Sequence, residues 1–423
     1  MGMDLLASLP SSIHSDRMRI GISTSVIQRG KTGVAQHVFA LLRALLRHAD
    51  EHKFVLFVLE EDLPLLDFAR PQMEVVLVPE RFRPAVKNIA WHQTVLPGLA
   101  HKWQLNVLHI PSYRRLLWRR PCGLVATIHD LAPFHVQKKY DLKRMIYGRV
   151  VVRQLARRQH EIIAISDNTA RDIVQYFKLP RERITLIHNG LDHARFFPGN
   201  VAAAKSAVAN QYELRRPFFL YVARLEHPGK NHVRLIEAFE EFKAATRSDW
   251  QLAFAGSDWH GAEVIHSAIK KSPCAADIRC LGFVPDTALP DLYRAAGVFV
   301  YPSLFEGFGM PPVEAMACAC PVVCSIRGSL GEVVGDAAAI VEPEDIHSIA
   351  RQLHILVTDN PARNRLRAAG LDRAQKFNWN RTATETLKVY ERAAVRSRTG
   401  RAPAIEQAGA GESAARRAEL LPR

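Results

Sequence analysis

Short runs of consecutive apolar residues alternate along the chain with longer stretches in which apolar residues recur every three or four positions. In the first half the short runs fall at 19–24, 54–59, 74–78, 107–110, 124–129, 161–166 and 184–188. Several are apolar on successive residues, the pattern of strands covered on both faces. Between them, Val38, Leu41, Leu42, Leu45 and Leu46 repeat at helical spacing behind a loop at 29–33. Asp167, Asn168 and Thr169 read as the cap of a helix whose inner side includes Ile173, Val174 and Phe177. The second half repeats the alternation, with strands predicted at 218–223, 251–255, 278–283, 298–301, 321–324 and 338–341. A helix over 231–244 presents Leu235, Ile236, Phe239 and Phe242 on one side, with Asn231 as its N-cap. A basic amphipathic pattern over 380–394 carries Leu387, Val389 and Tyr390.

Strand–helix alternation in both halves predicts two doubly wound α/β domains with parallel sheets. The expected division is a flexible leader at 1–16, a first domain at 17–200 and a linker at 201–216. A second domain at 217–375, a closing helix at 376–395 and a disordered tail at 396–423 follow. The linker is polar and Ala-rich, and ends in Arg215, Arg216 and Pro217. Ligands of open parallel sheets sit beyond the carboxyl ends of the strands, so the chemistry belongs in loops that follow strands, facing a cleft between the domains.

The length of 423 residues agrees with two cores rather than one. With 48% apolar and 23% charged residues the composition is that of a globular chain, not a disordered one. No run approaches the ~18 apolar residues of a membrane-spanning helix. The first residues lack the basic lead and apolar length of a secretory signal. The six cysteines form no C-x-x-C pair and show no zinc spacing, so they read as small, buried, reduced thiols of a cytoplasmic protein. No carboxylate cluster suited to holding a divalent metal stands out.

Charge changes the picture more. The net +15 splits into +12 over residues 1–200 (29 basic, 17 acidic) and +3 over 201–423 (28 basic, 25 acidic). Between Lys102 and Arg158 there are 13 basic residues against Asp130 and Asp141, or +11. These cations are interleaved with Tyr113, Trp118 and Tyr140, which suits the interface of an anionic membrane, with the protein peripheral at its cytoplasmic face. A plain solvated face is the competing reading. Nucleic acid is disfavoured as a partner, because no zinc-finger or RNP-like motif is present and the excess is local.

The most informative loop follows the predicted strand 298–301 and reads YPSLFEGFGMPPVE. Gly307 and Gly309 let a ligand approach the backbone, and Pro311 and Pro312 suit a first helical turn. The free N–H groups of that helix start form an anion site. Glu306 and Glu314 stand eight residues apart, and a carboxylate suits vicinal sugar hydroxyls, which donate without carrying charge. A second loop, ARLEHPGKN, follows the predicted strand 218–223 and offers Arg224 and Lys230. A guanidinium fork and a mobile ammonium together suit a diphosphate and the charge that develops on it as it leaves. Read singly, each of these groups is as well explained by a solvated surface charge or a helix-dipole complement.

Taken in order, ARLEHPGKN, LGFVPDTALPDLYRAA and YPSLFEGFGMPPVEAMACACPVV resemble the retaining glycosyltransferases of family 4. The resemblance covers most of residues 19–395 and is strongest over 218–343. It implies the GT-B fold: two facing Rossmann-like domains, and a C-terminal helix crossing back to the first. The segments HDLAPFH, IAISDNTARDI and NGLD look most like the mannosyltransferase-B-like branch. By position the resemblance implies that Arg224 and Lys230 hold the donor diphosphate, Glu306 the donor sugar and Glu314 the ribose. Backbone groups of Phe308, Gly309 and Met310 would meet sugar or phosphate, and Val284 the base. His129 follows the strand 124–128 and would lie near the transferred sugar; a histidine satisfied within the sheet edge is the alternative. Ser166 and Asn189 also end strands and are weaker candidates. Where the family often has adjacent glycines in the N-terminal loop, this chain reads Arg29, Gly30, Lys31, Thr32, Gly33 and Val34, leaving Gly33 to admit a phosphate.

The expected function is therefore transfer of a hexose, with retention and without a metal or cofactor, from a nucleotide-sugar donor to a glycan or polyprenyl-linked acceptor. Mannose from GDP-mannose comes first, and a hexose from a UDP donor second. A catalytically silent sugar-nucleotide-binding protein, a nucleic-acid-binding protein and a nucleotide-sugar epimerase on the same fold are the rivals.

Overall fold

The computed structural model describes residues 17–30, 32–131, 134 and 147–400. The expected leader at 1–16, Lys31, the Lys138–Met145 part of the basic region and the tail beyond 400 lie outside the described residues.

Thirteen strands are seen among the described residues, all paired in parallel, in two sheets. The first comprises β1 (Arg19–Ser23), β2 (Lys53–Leu59), β3 (Glu74–Val78), β4 (Val107–Ile110), β5 (Gly123–Ile128), β6 (Glu161–Ala164) and β7 (Ile184–Leu186), in the order β3-β2-β1-β4-β5-β6-β7. The second comprises β8 (Phe218–Val222), β9 (Gln251–Ala255), β10 (Ile278–Gly282), β11 (Val298–Tyr301), β12 (Val322–Ser325) and β13 (Ala339–Val341), in the order β10-β9-β8-β11-β12-β13. Each predicted strand is present, with edges shifted by at most two residues. The central ones are buried along their whole length, as in β5 and β9, which is why their sequences run apolar without alternation.

Each sheet reverses its strand order once, between β1 and β4 and between β8 and β11. Ligand clefts of this architecture open at such points. The two motif loops follow β8 and β11, so the sequence places its charged residues on either side of the second reversal.

The helix Trp379–Thr399 crosses back from the second domain and completes the core of the first. Ala383, Leu387, Val389, Tyr390 and Ala393 are buried there with Ile20, Val107 and Val125. The Tyr390 hydroxyl and His109 Nδ1 are 2.8 Å apart. The backbone of Ala393 lies so close to Gly123 that an added Cβ would stand 2.7 Å from its carbonyl oxygen. No helix among the described residues is long and apolar enough to cross a membrane.

Five expectations need correction. The tail expected from 396 begins later, because the closing helix runs on to Thr399. The stretch 201–216 is not an open linker: a helix spans Val201–Tyr212, and its Ala204 and Val208 belong to the core of the second domain. Asn231 sits at the N-cap position but does not cap. Its backbone is left-handed (φ 62°), and its side-chain amide donates to the carbonyls of Pro302 and Pro343 at 3.0 and 2.6 Å. The helix Asp167–Asp172 is capped one residue earlier than expected, by Ser166 Oγ accepting from the Thr169 N–H. Finally, Cys280 is exposed and Cys274 half-buried, whereas the other four thiols are buried.

Candidate active site

The site begins with two loops tied to each other. The β8 loop carries Arg224 and Lys230, and the β11 loop carries Glu306. Gly229 links them: its carbonyl accepts from the Leu304 N–H at 3.1 Å and from Ser303 Oγ at 3.3 Å. Lys230 Nζ lies 2.6 Å from Glu306 Oε1, with both side chains less than one-fifth exposed. The Tyr301 hydroxyl donates to the same oxygen at 2.8 Å, and the Tyr221 hydroxyl donates to the Lys230 carbonyl at 2.5 Å. Lys230 and Glu306, assigned separate partners by the sequence reading, are thus each other's partner in this structure.

Arg224 is held differently. Its guanidinium is half-exposed, 3.5 Å from buried Glu226, and lies over the indole of Trp259 at 4.5 Å. The Trp259 loop is fastened to the Arg224 loop, with the Trp259 N–H donating to the Leu225 carbonyl at 3.0 Å. A π face orients a guanidinium without neutralising it; Glu226 offsets part of the Arg224 charge, and the half-exposed guanidinium still offers N–H donors to an anion. Sequence reading missed Trp259, since a tryptophan after a strand carries no signal of what it stacks on.

Beyond Glu306 the chain turns sharply. Gly309 takes φ 95° and precedes the helix Met310–Ala317; Pro311 and Pro312 carry no N–H, so the Met310 N–H is the donor the start of this helix offers. Phe308 is buried, its ring near those of His188 and Phe377, and Met310 is half-buried. Ser329 Oγ donates to the carbonyls of Glu306 and Phe308 at 3.0 and 2.9 Å, fixing the loop from behind. Glu314 lies one turn into the helix and accepts from the Tyr293 hydroxyl at 2.8 Å. Burial raises its pKa to about 6, the Tyr293 hydrogen bond and Arg195 working against that shift and Asp286 with it. Val284, two residues before Asp286, is buried, while its neighbour Phe283 is exposed.

The first domain closes on this loop. A Cβ on Gly307 would stand 2.5 Å from the carbonyl oxygen of His129 and 2.7 Å from the Cβ of Asp130. His129 therefore lies against the Glu306–Gly309 turn, across the cleft. Its Nε2–H donates to the Pro111 carbonyl at 3.2 Å, which leaves Nδ1 as the acceptor. Burial, with His109 adding to it, lowers its pKa to about 4, so the ring is neutral near pH 7. The ring of His37 packs edge-on against it at 4.7 Å, and His37 Nδ1 is bonded to Asn189 at 2.9 Å. Ser166 and Asn189 thus serve as a cap and a histidine partner.

Gly33 starts the helix Gly33–Leu45, with Thr32 Oγ accepting from the Ala35 N–H at 3.2 Å. A Cβ at Gly33 would meet nothing within 4 Å. Gly33→Ala is therefore expected to leave the melting temperature unchanged or slightly raised. If a phosphate approaches this backbone, the same change raises the donor KM about tenfold; the pair of measurements separates the two effects.

Glu332 was not anticipated. It lies in the helix Leu330–Val334, where the sequence suggests only a dipole complement. Its carboxylate reaches the other domain, accepting from the N–H groups of Asp167 (2.7 and 2.9 Å) and Asn168 (3.2 Å), with His188 Nε2 at 2.7 Å. These bonds, with His188 first, outweigh its burial and lower its pKa. Glu332 is thus a clasp between the domains beside the Phe308 turn.

A family model described as "Glycosyltransferase Family 4" matches residues 31–195, and one described as "Glycosyl transferases group 1" matches residues 205–373. The O-antigen chain mannosyltransferase B of Escherichia coli is 32% identical over 268 residues, 63% of this chain and 70% of that one. The chain belongs to the family 4 glycosyltransferases. A second relative, the serotype-specific mannosyltransferase WbdA of Escherichia coli, is 29% identical over 276 residues, 64% of this chain but only 34% of that longer protein. Among solved structures, Anabaena Alr3699/HepE in complex with UDP and glucose superposes with a TM-score of 0.69 at 19% identity, covering 88% of this chain and all of that one. The fold is GT-B, as the two facing parallel sheets and the returning helix require.

Proposed function

We propose that this glycosyltransferase moves mannose from GDP-mannose to a hydroxyl of a lipid-linked glycan, with retention at the anomeric carbon, in the synthesis of a surface polysaccharide. The observation that carries the reading is the Lys230–Glu306 pair beside Arg224 and the Gly309 helix start. It sets cations and the Met310 N–H for a diphosphate against a carboxylate for sugar hydroxyls. In this reading the donor diphosphate takes Lys230 and Arg224, and Glu306 turns to the sugar hydroxyls as its ammonium partner is shared. The leaving diphosphate gains its stabilisation from those two cations and the helix start, so no metal ion is needed. The neutral His129 offers Nδ1 to a sugar hydroxyl, and Glu314 accepts from the ribose hydroxyls. The mannosyltransferase relatives favour mannose; the UDP complex of the solved relative supports a UDP-hexose as the second reading. Incubation with a panel of nucleotide sugars tests this: GDP release from GDP-mannose above all others is expected. Release from a UDP sugar alone moves the assignment to the second reading, and release from none refutes transfer.

Glu314 gives the reading a pH signature. Its carboxylate binds hydroxyl donors and its acid form does not, so donor affinity is expected to rise with pH through about 6. Its effect on folding has the opposite sign. A carboxyl whose native pKa is raised stabilises the fold at low pH and loses that contribution as pH climbs past about 6. Donor KM measured from pH 5 to 8 should fall several-fold in the wild type and stay flat in Glu314→Gln; parallel profiles would remove Glu314 from the site.

The acceptor domain is proposed to rest on an anionic membrane surface. Trp118, Val150 and Val151 are exposed among the basic residues, and Arg158 lies over the Trp118 ring at 5.4 Å. Binding to phosphatidylglycerol vesicles at low salt, weakened by Trp118→Ser together with Arg119→Gln, is the expected result. Equal binding by wild type and variant would contradict it.

A further inference from the structure

A second cationic site lies at the far end of the donor domain from its cleft. A cavity of about 920 Å³ opens beneath the N-terminal ends of β8, β9, β11 and β12, between the helices Val201–Tyr212 and Asn360–Ala374. Six cations line it: Lys205, Arg215, Arg216, Arg294, Arg363 and Arg367. No aspartate or glutamate does. Arg216 and Arg294 have carboxylate partners, Asp277 at 2.6 Å and Asp291 at 2.9 Å. Among the described residues no carboxylate pairs with Lys205, Arg215, Arg363 or Arg367. Arg363 Nε is enclosed without an acceptor, while its two terminal nitrogens donate to the uncharged Leu356 carbonyl and Asn360 side chain and leave its charge uncompensated. Burial, and then the charge of Arg367, lowers the pKa of Arg363. This domain has almost no net charge in sequence, so six cations around one cavity are a local concentration and not a share of a basic surface.

Like charges gathered without counter-charges destabilise a fold, and the cost is relieved when an anion enters. Guanidinium forks arriving from separate elements, with an ammonium on the facing helix, match the several oxygens of a phosphate chain better than they match one carboxylate. The donor loops follow the opposite ends of the same strands, so the donor diphosphate cannot fill this cavity while it is bound in the cleft.

We propose that this cavity binds a ligand carrying more than one phosphate-type anion, either free in solution as a polyphosphate tail or presented as clustered lipid headgroups. The site is independent of the donor reading and separable from it by experiment.

The test uses the full chain with Lys230→Ala to weaken the cleft. Calorimetric titration with inorganic triphosphate at 150 mM salt is expected to show one site per chain. Adding Arg363→Gln and Arg367→Gln should weaken that site at least tenfold. Adding Arg47→Gln and Lys87→Gln, which removes the same charge from exposed positions on the other domain, should change it less than twofold. Circular dichroism checks that each variant is folded. Donor turnover of R363Q/R367Q in the otherwise wild-type chain should be unchanged. If triphosphate does not bind, vesicles containing phosphatidic acid are the second probe, and binding lost only in R363Q/R367Q supports the lipid source. No binding to either probe, or equal weakening by both pairs of substitutions, overturns the proposal. Two sites persisting in the Lys230→Ala protein would instead count against Lys230 as a diphosphate ligand while leaving the cavity in place.

Discussion

Lys230→Ala is expected to lower donor turnover about 10²–10³-fold, the usual loss when one preorganised charge-stabilising donor is removed. The same change orphans Glu306, whose side chain is only 13% exposed and is otherwise bonded to Tyr301. Leaving a largely enclosed carboxylate without its ammonium should cost about 1–3 kcal/mol of stability. Activity and stability therefore fall together, and a second variant is needed to separate them. In the double variant Lys230→Ala, Glu306→Gln the uncompensated charge is gone. Its melting temperature should recover most of the loss, while turnover stays at or below that of Lys230→Ala. A purely structural pair would show both recovering. Glu306→Gln alone keeps an oxygen for Tyr301 and a partial acceptor for sugar hydroxyls, and its turnover should fall by a similar order. Near-normal turnover in both single variants would remove this pair from the chemistry.

The second large effect is expected at Gly307. Its neighbours across the cleft are the His129 carbonyl and the Asp130 Cβ, which cannot swing aside as a side-chain tip can. A methyl group at 2.5 Å from that carbonyl forces the β11 loop and the first domain apart by several tenths of an ångström or more. Misplacement of about 1 Å at a reacting centre is enough to lose ~10²-fold in rate. Gly307→Ala should therefore lose tenfold to a hundredfold in kcat, with the melting temperature little changed because both cores are untouched. Glu332→Ala should act on the same closure by another route, since it removes the acceptor of two N–H groups, those of Asp167 and Asn168, and the partner of His188. Small-angle scattering should show a more open chain in each. Unchanged scattering with unchanged kcat would mean that the seated loop is not needed for transfer.

The fold was largely legible because a parallel sheet covered on both faces writes itself as unbroken apolar runs. β3, β4, β9 and β11 have the boundaries read from the sequence. Where the signal was weak, the reading erred for physical reasons. The helix Val201–Tyr212 buries only Ala204 and Val208, so its pattern looks like a polar linker. Asn231 has the composition of a cap, but its left-handed backbone and two distant carbonyl partners are tertiary facts. The site was legible one residue at a time and not pair by pair. Lys230 and Glu306 are 76 positions apart, and nothing in either loop says that they meet. Glu332 shows the limit most clearly, because a glutamate in a first helical turn is ordinary until its partner across 165 residues is known.

The central claim is retaining transfer driven by protein cations in place of a metal. Transfer from α-configured GDP-mannose to a lipid-linked glycan acceptor, with chelator present throughout, tests it most directly when the anomeric proton of the product is read by NMR. An α-linked mannose formed at a rate unaffected by chelator is the predicted result; a β-linked product, or transfer abolished by chelator, would contradict it.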